Sequence, residues 1–538
     1  MRLTKTQTAY ALLIVCAAAR LFLQMAAMPP YAGLDEVYHV ARLAFVREEH
    51  RNPTTTEPSV PPYLMESIAG AHAQPSASAP RPRSVPVAMP AMGEAGDRWP
   101  AIVSARGEHV VVDLPIAPDD LKPYVVRNYE AQQTSLYYSL AAPLVPVRSA
   151  LFEMRAWRAL SLLFALITVV ATAEVGRRWL GPIGILGGVI LVSLPTWETL
   201  VVRAGNDAFA CMLAAVAVAI SVAGSRRPLP IAAEALAWGL ALNAKMYTWP
   251  LLIILPVLWR RGRVPKWRPL IVAAVSLVAI CLTFAELSSR TNNPLGVVAF
   301  DRPGGAVYEA KVSISEIVRV TIASAAWTSG QFNDALRPAA IALYLGPVVL
   351  AMIAVIRRRD PSAPRRTGDA GPDGRTLRLR SGQAPALLVL LAFALAQTYN
   401  VVACVLANRG GNPIPIGGKE GWYWYVLASV VIPALLAPAM ARWRAIAWWL
   451  VAWDVVITEG ALFHDFAGTA SSLHGSMLFR WGPLHAPFTA DLDGIGVGPL
   501  AAWTTVIRLL HLATFFSLES LLQHMRRNDR NIDIALAS

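Results

Sequence analysis

The chain has 538 residues, 55% of them hydrophobic and only 15% charged, with a mean hydropathy of +0.44. Soluble domains carry roughly a quarter charged residues, so a chain whose main solvent is water is excluded. The net charge of +13 needs no nucleic acid to explain it, because the surplus lies in short loops between apolar runs, where anionic lipid is the natural partner.

Apolar runs long enough to cross a bilayer as helix recur along the chain. The first covers residues 7–28. Arg2 and Lys5 precede its apolar core, as in a cleaved signal peptide, but Arg20 interrupts that core and the later runs favour a retained helix. Further spans are predicted at 156–175, 182–200, 207–224, 231–243, 247–259, 270–286, 338–356, 385–406, 422–440, 445–463 and 499–516. Arg177–Arg178, Arg226–Arg227, the cluster at 260–268, the run from Arg357 to Arg380, Arg442 with Arg444, and Arg526–Arg527 then share one side with the N-terminus. Cytoplasmic loops hold the excess of Lys and Arg, so both termini are placed in the cytoplasm. The expected fold is an all-α polytopic membrane protein of about 12 transmembrane helices. Its membrane domain spans 1–518, with outer loops at 29–155, 287–337 and 464–498, a basic cytoplasmic loop at 357–384 and a tail at 519–538.

Cys16, Cys211, Cys281 and Cys404 all fall inside predicted spans, which argues against a disulfide framework. The chain has no CxxC, Walker-type loop, GxGxxG or HExxH, which removes the usual soluble-enzyme readings.

The first outer loop, 29–155, is too long to be a plain connection. Residues 51–97 are rich in Pro, Ala and Ser and read as flexible, while AIVSARGEHVVVDL at 101–114 alternates around an Arg-Gly-Glu turn and predicts a short β-hairpin. Two pieces read as helices lying in the membrane interface. In the first, Leu34, Val37, Tyr38, Ala41 and Phe45 follow helical spacing, and Asp35, His39 and Arg42 share the polar face. The second, 128–145, passes from polar to aromatic and aliphatic residues. On the same side lie Arg203, Asn206 and Asp207, in the turn between the third and fourth spans, and Lys419 with Glu420 before the tenth. Lys245 occupies the bend of a hairpin whose ends are both cytoplasmic, which turns it outward. Charges at membrane depth usually mark a cavity or pathway. Snorkelling or loop solvation is the alternative for Arg203 and Lys419.

These residues, in this order, resemble the GT-C superfamily of multispanning glycosyltransferases, in the branch of protein mannosyltransferases, aminoarabinose transferases and Rgt-type transferases. DUF2142-like membrane families share much of the pattern. The resemblance is carried by the acidic pair Asp35–Glu36 after the first span, YEAQQTSLYY (Tyr129–Tyr138), the span at 158–181, RAGNDAFA (Arg203–Ala210), GLALNAKMYTWPLL (Gly239–Leu252) and GWYWYVL (Gly421–Leu427). One departure is Thr134–Ser135, where the family commonly has a Pro pair before Leu-Tyr-Tyr.

The resemblance implies an enzyme of a bacterial cell envelope that moves a sugar, with inversion, from a polyprenyl-phosphate carrier to an acceptor outside the cytoplasmic membrane. The acceptor is a glycan, a lipid or a protein, and no dedicated cofactor is implied beyond the lipid-linked donor. Asp35 then stands where the family has its general base, a role that suits an interfacial carboxylate. Its alternative is an N-cap. Glu36, about 100° further round the helix, is expected to hydrogen-bond sugar or acceptor, or else to be a solvated first-turn acid. Lys245 and Arg20 lead the candidates for the leaving phosphate, where charge accumulates in the transition state, with Arg203, Asp207 and Arg127 behind them. Arg20 alternatively snorkels to the interface. Tyr129, Glu130, Gln133 and Tyr137 are candidate sugar or acceptor contacts, and Tyr137 reads equally as an interfacial anchor. His39, one turn beyond Asp35, either orients it or joins it on a divalent metal. A lone His–carboxylate pair is a poor metal signature, so no metal site is assigned, and His464, Asp465 and His474 match no standard spacing. Two other classes fit the composition: a twelve-span transporter, and a non-catalytic lipid-binding or envelope-assembly protein.

Overall fold

The computed structural model describes residues 4–27, 36–55, 57–61, 63–64, 67, 124, 126–224, 228–256, 265, 267–290, 318, 321–322, 325, 335–336, 338–357, 386–398, 421–436, 445–446, 448–456, 479–480 and 500–537. Asp35, Lys419, Glu420, Cys404, His464, Asp465, His474 and the expected hairpin at 101–114 lie outside the described residues, as does most of the loops at 287–337, 357–384 and 464–498.

The protein is a polytopic helical membrane protein. Among the described residues, five helices are long and apolar enough to cross a membrane, or six if one bent pair counts as a single span. The first is α1 (Lys5–Ala27), and the buried α2 (Glu36–Glu49) follows it. A short helix, α3 (Leu136–Ala141), precedes the long α4 (Ala150–Leu180). Ser149 caps α4 through the Phe152 N–H, Glu153 lies in its first turn, and Arg177 with Arg178 lie in its last. Each charge therefore faces the favourable end of the helix dipole. Next come α5 (Leu186–Val192), α6 (Pro195–Val202), α7 (Asn206–Ala223), α8 (Pro228–Ala244) and α9 (Trp267–Arg290). The later described elements are α10 (Pro338–Arg357), α11 (Ala386–Thr398), a helical stretch at 421–436 that passes from 3-10 through α to π geometry, α12 (448–456) and α13 (Leu500–Ala537).

Two expectations are corrected. The run at 182–200 is not one straight span: the helical stretches Pro182–Val192 and Pro195–Val202 meet at 71°. Pro195 supplies no N–H and drives the preceding residue out of helical geometry, and Leu194 accordingly has φ −105° and ψ 104°. Likewise, the polar face of α2 is enclosed by protein and not solvated. Every residue from Glu36 to Val46 is buried, polar face included, because protein carbonyls and side chains replace water around His39 and Arg42.

The expected flexible segment 51–97 contains one ordered strand. Residues 58–60 form β1 (Pro58–Val60), which pairs antiparallel with β2 (Val126–Arg127), so two distant parts of the 29–155 segment are tied together beside α2. A second two-residue pairing joins β3 (Ala335–Leu336) to β4 (Phe479–Arg480).

In the bundle, α4 packs on α7, α7 on α8, α8 on α9, and α1 on α13. A close backbone approach joins α4 to the turn that follows it. A Cβ on Gly176 would stand 2.1 Å from the Gly184 carbonyl oxygen, and one on Gly184 would stand 1.9 Å from the Gly176 oxygen. Only glycine permits that contact. Cys16, Cys211 and Cys281 are free thiols.

Candidate functional site

The site begins at the first turn of α2, directly after the Asp35 position. Glu36 is fully buried. Its carboxylate accepts from Arg158 of α4 at both oxygens, Nε at 2.7 Å and Nη2 at 2.6 Å, and Oε1 also accepts the Ala204 N–H at 2.8 Å. Glu36, expected to hydrogen-bond sugar or acceptor, thus has three protein partners. These bonds pin α2 against α4 and the turn before α7.

That turn carries RAGND. Arg203 ends α6, Gly205 is extended, and Asn206 and Asp207 open α7. A Cβ on Gly205 would meet His39 Cδ2 at 3.1 Å, so the glycine lets the imidazole come close to the turn. Asp207 bridges Arg203 and Lys245, both within salt-bridge contact of its two oxygens. Lys245 also donates to Asn206 Oδ1 at 3.2 Å. Its ammonium lies 5.5 Å from the Tyr423 ring and 5.9 Å from Tyr247, and those two rings stack at 4.2 Å. One anion thus serves two cations, leaving a single net positive charge among the trio. Lys245, Arg203 and Asp207, placed on one side by the sequence, are brought together here, and all three are buried.

The third component is the loop helix. Asn128 accepts the Glu130 N–H at 2.9 Å and donates to the Tyr38 carbonyl at 2.7 Å, which caps the tight turn Tyr129–Gln132 and fastens it to α2. Arg42, wholly buried, donates to the carbonyls of Glu130 at 2.6 Å and Gln133 at 2.9 Å and to Asn52 Oδ1 at 2.8 Å, with its guanidinium 3.8 Å above the Tyr138 ring. Burial pulls this guanidinium down to about 10, so it keeps its charge at neutral pH. From the end of α9, Arg290 donates to the carbonyls of Ala131 and Gln133, each at 2.9 Å, and Glu286 accepts the Ser135 N–H at 2.9 Å. Thr134, at the departure from the family pattern, donates to the Ala244 carbonyl at 2.6 Å, one residue before Lys245. The loop helix is thereby clamped by α2, α8 and α9.

What the clamp holds in place is Tyr138. Its hydroxyl lies 2.7 Å from His39 Nδ1, and Glu130 Oε2 is 3.7 Å from the same nitrogen. Burial holds the imidazole well below its ordinary range, helped by the charges of Arg203, Lys245 and Arg42 and opposed by Asp207. Burial likewise pushes the Tyr138 phenol well above its usual value. A neutral imidazole and a protonated phenol share one hydrogen bond here, with the phenol as donor in the Nε2–H tautomer and as acceptor in the Nδ1–H tautomer. Tyr137 is 1% exposed and packs edge-on against Tyr138 at 5.1 Å. It is an interior residue, not the interfacial anchor offered as one of its two readings. Gln133 contributes through its backbone carbonyl. The side chains of Arg127 and Tyr129 lie outside the described residues.

Arg20 belongs to a second network. It donates to Glu198 of α6 through Nε at 2.9 Å and Nη2 at 3.1 Å and contacts Asp454 of α12. Arg508 of α13 joins Glu198 at 2.9 Å and Gln24 at 3.1 Å. Arg20, Glu198, Asp454 and Arg508 are all 0% exposed, and two cations balance two anions. The expectation that Arg20 meets the leaving phosphate, or snorkels to the interface, is corrected: its guanidinium is engaged inside the bundle. Arg42, Tyr138, Arg158 and Arg290 were not singled out by sequence as site residues. An Arg at the head of the second span, where charge is expensive, was the available signal for Arg158.

Among the described residues no group of three or more His, Cys, Asp or Glu side chains could hold a metal ion. No family model matches the chain, and no curated protein matches it. Among solved structures, the crystal structure of ArnT from Cupriavidus metallidurans bound to undecaprenyl phosphate is similar at 14% identity, covering 96% of this chain and 77% of that one with a TM-score of 0.40. That likeness is too distant to assign the chain to a family.

Proposed function

We propose that this chain is a membrane glycosyltransferase that takes a sugar from a polyprenyl-phosphate donor and passes it to an acceptor hydroxyl at the outer face of the membrane. One observation carries the reading. The stretches that resemble GT-C enzymes, scattered from Glu36 to Tyr423, converge on one buried polar assembly through His39–Tyr138, Thr134–Ala244, Lys245–Asp207 and Lys245–Tyr423 contacts. That assembly directly adjoins the chain position of Asp35.

In this reading the acceptor oxygen attacks the anomeric carbon from the face opposite the phosphate. The bond from that carbon to the phosphate oxygen breaks, its electron pair leaves on the polyprenyl phosphate, and the hydroxyl proton passes to the Asp35 carboxylate. Lys245 and Arg203 supply positive charge toward the leaving phosphate, and Asp207 holds them in register while the site is empty of substrate. Glu36 and Arg158 act through position, by fixing the first turn of α2 against α4. Inversion follows from a single displacement.

A specific observation favours a second reading. The helix broken between α5 and α6, with the Arg20–Glu198–Asp454–Arg508 network at its foot, is the kind of discontinuous helix and interior charge that transporters place near the bilayer midplane. Purified protein in proteoliposomes, offered a panel of polyprenyl-phosphate sugars and candidate acceptors, separates the two. A new glycosidic bond supports transfer. Movement of the sugar compound across the membrane with no new bond supports transport.

A further inference from the structure

We infer that Asn206 is a dedicated hydrogen-bond donor to a phosphate oxygen, seated at the N-terminus of α7. The source of that phosphate, the lipid-linked donor, rests on the glycosyl-transfer reading; the chemistry rests on geometry.

Asn206 is 0% exposed. An ammonium group can only donate, so the atom that Lys245 Nζ approaches at 3.2 Å must be the carboxamide oxygen. That contact fixes the orientation of the amide, which would otherwise be ambiguous. Nδ2 is then turned away from Lys245, is buried, and has no hydrogen-bond partner among the described residues. Folded proteins satisfy nearly all such groups. A donor pair held in place by a lysine and left without an acceptor is what a ligand-binding group looks like before its ligand arrives.

The surroundings say which acceptor. Asp207 with Arg203 and Lys245 leaves one net positive charge. The 18-residue α7 directs its N-terminal end at the same place, where unpaired backbone N–H groups and the helix dipole favour an anion. Neutral His39 adds no negative charge. An anionic oxygen is therefore favoured over a sugar hydroxyl, and a phosphate is the anion a lipid-linked donor carries.

Two substitutions test this against a merely structural role. Asn206→Asp keeps the shape and the acceptor for Lys245 but replaces the donor with a negative charge. Asn206→Leu keeps the volume and neutrality and removes both the donor and the oxygen that accepts from Lys245. Binding of a polyprenyl phosphate, of inorganic phosphate and of the uncharged polyprenol is measured on the full-length protein in detergent, beside thermal melting without ligand. Wild type is expected to prefer polyprenyl phosphate to polyprenol. Asn206→Leu is expected to weaken that binding about tenfold and Asn206→Asp about a hundredfold, with ligand-free melting little changed in Asn206→Leu because the lost Lys245 contact is offset by removal of an unsatisfied donor. Binding of inorganic phosphate alone, lost in both variants, keeps the donor role and assigns the anion to a free phosphate. Unchanged anion affinity in Asn206→Leu overturns the inference and leaves the transfer reading standing. Wild-type protein that binds neither anion overturns both.

Discussion

Arg158→Met is expected to destabilise the protein far more than removing Arg158 and Glu36 together. Glu36 is 0% exposed and Arg158 is 3% exposed, so neither charge has water to fall back on. The carboxylate accepts twice from Arg158, at 2.7 and 2.6 Å, and once from the Ala204 N–H. Removing one partner of a buried pair strands the other charge and costs about 3–5 kcal/mol. In Arg158→Met the stranded group is a carboxylate that keeps one backbone donor, which puts the loss at the lower end, about 3 kcal/mol. The double variant Glu36→Leu/Arg158→Met strands neither charge of the pair and takes partners from the neutral Ala204 N–H and Met25 carbonyl, so it should lie within about 1–2 kcal/mol of wild type. Denaturant-induced unfolding in mild detergent of wild type, both single variants and the double variant gives the coupling, expected at roughly 2 kcal/mol or more. Additive losses, or an Arg158→Met protein as stable as wild type, would refute the view that this pair pins α2.

Two further outcomes follow from the geometry. Gly176→Ala drives a Cβ to 2.1 Å from a backbone oxygen that no side-chain rotation can move; a loss above about 2 kcal/mol is expected, and unchanged melting would contradict the close contact of α4 with the turn after it. His39 is held below its ordinary pKa by burial, so the unfolded chain binds its proton first as pH falls. Its contribution to stability is whole above the unfolded value of about 6.5 and is lost below it at about 1.4 kcal/mol per pH unit, down to the folded value. His39→Gln should remove that slope between pH 6.5 and pH 5, and an unaltered slope would mean the imidazole is not buried neutral.

Much of the framework was legible because hydropathy and charge placement act locally. The α1, α4, α7 and α9 helices stand where apolar runs predicted them, and Lys245, Arg203 and Asp207 meet because each was placed on one side by its own span ends. Long-range pairing was not legible. The partner of Glu36 is 122 residues away in sequence, and the Arg20–Glu198 and Arg508–Glu198 pairs span 178 and 310 residues. Nothing in local spacing specifies such partners. There was nonetheless a global sign: Glu198, Asp454 and Arg508 each interrupt a predicted span, and charges in a membrane interior must find one another. Asking which of them balance Arg20 would have removed it from the phosphate candidates. The bend between α5 and α6 was also signalled, by Pro195, and was overridden by the length of the apolar run.

The central claim concerns Asp35, directly before α2. Purified wild-type and Asp35→Asn proteins, matched in melting temperature, would be incubated with a polyprenyl-phosphate sugar and an acceptor, and free polyprenyl phosphate measured. The account predicts acceptor-dependent release by the wild type and a loss of about 10²–10⁴-fold in Asp35→Asn. Equal release by the two proteins would contradict it.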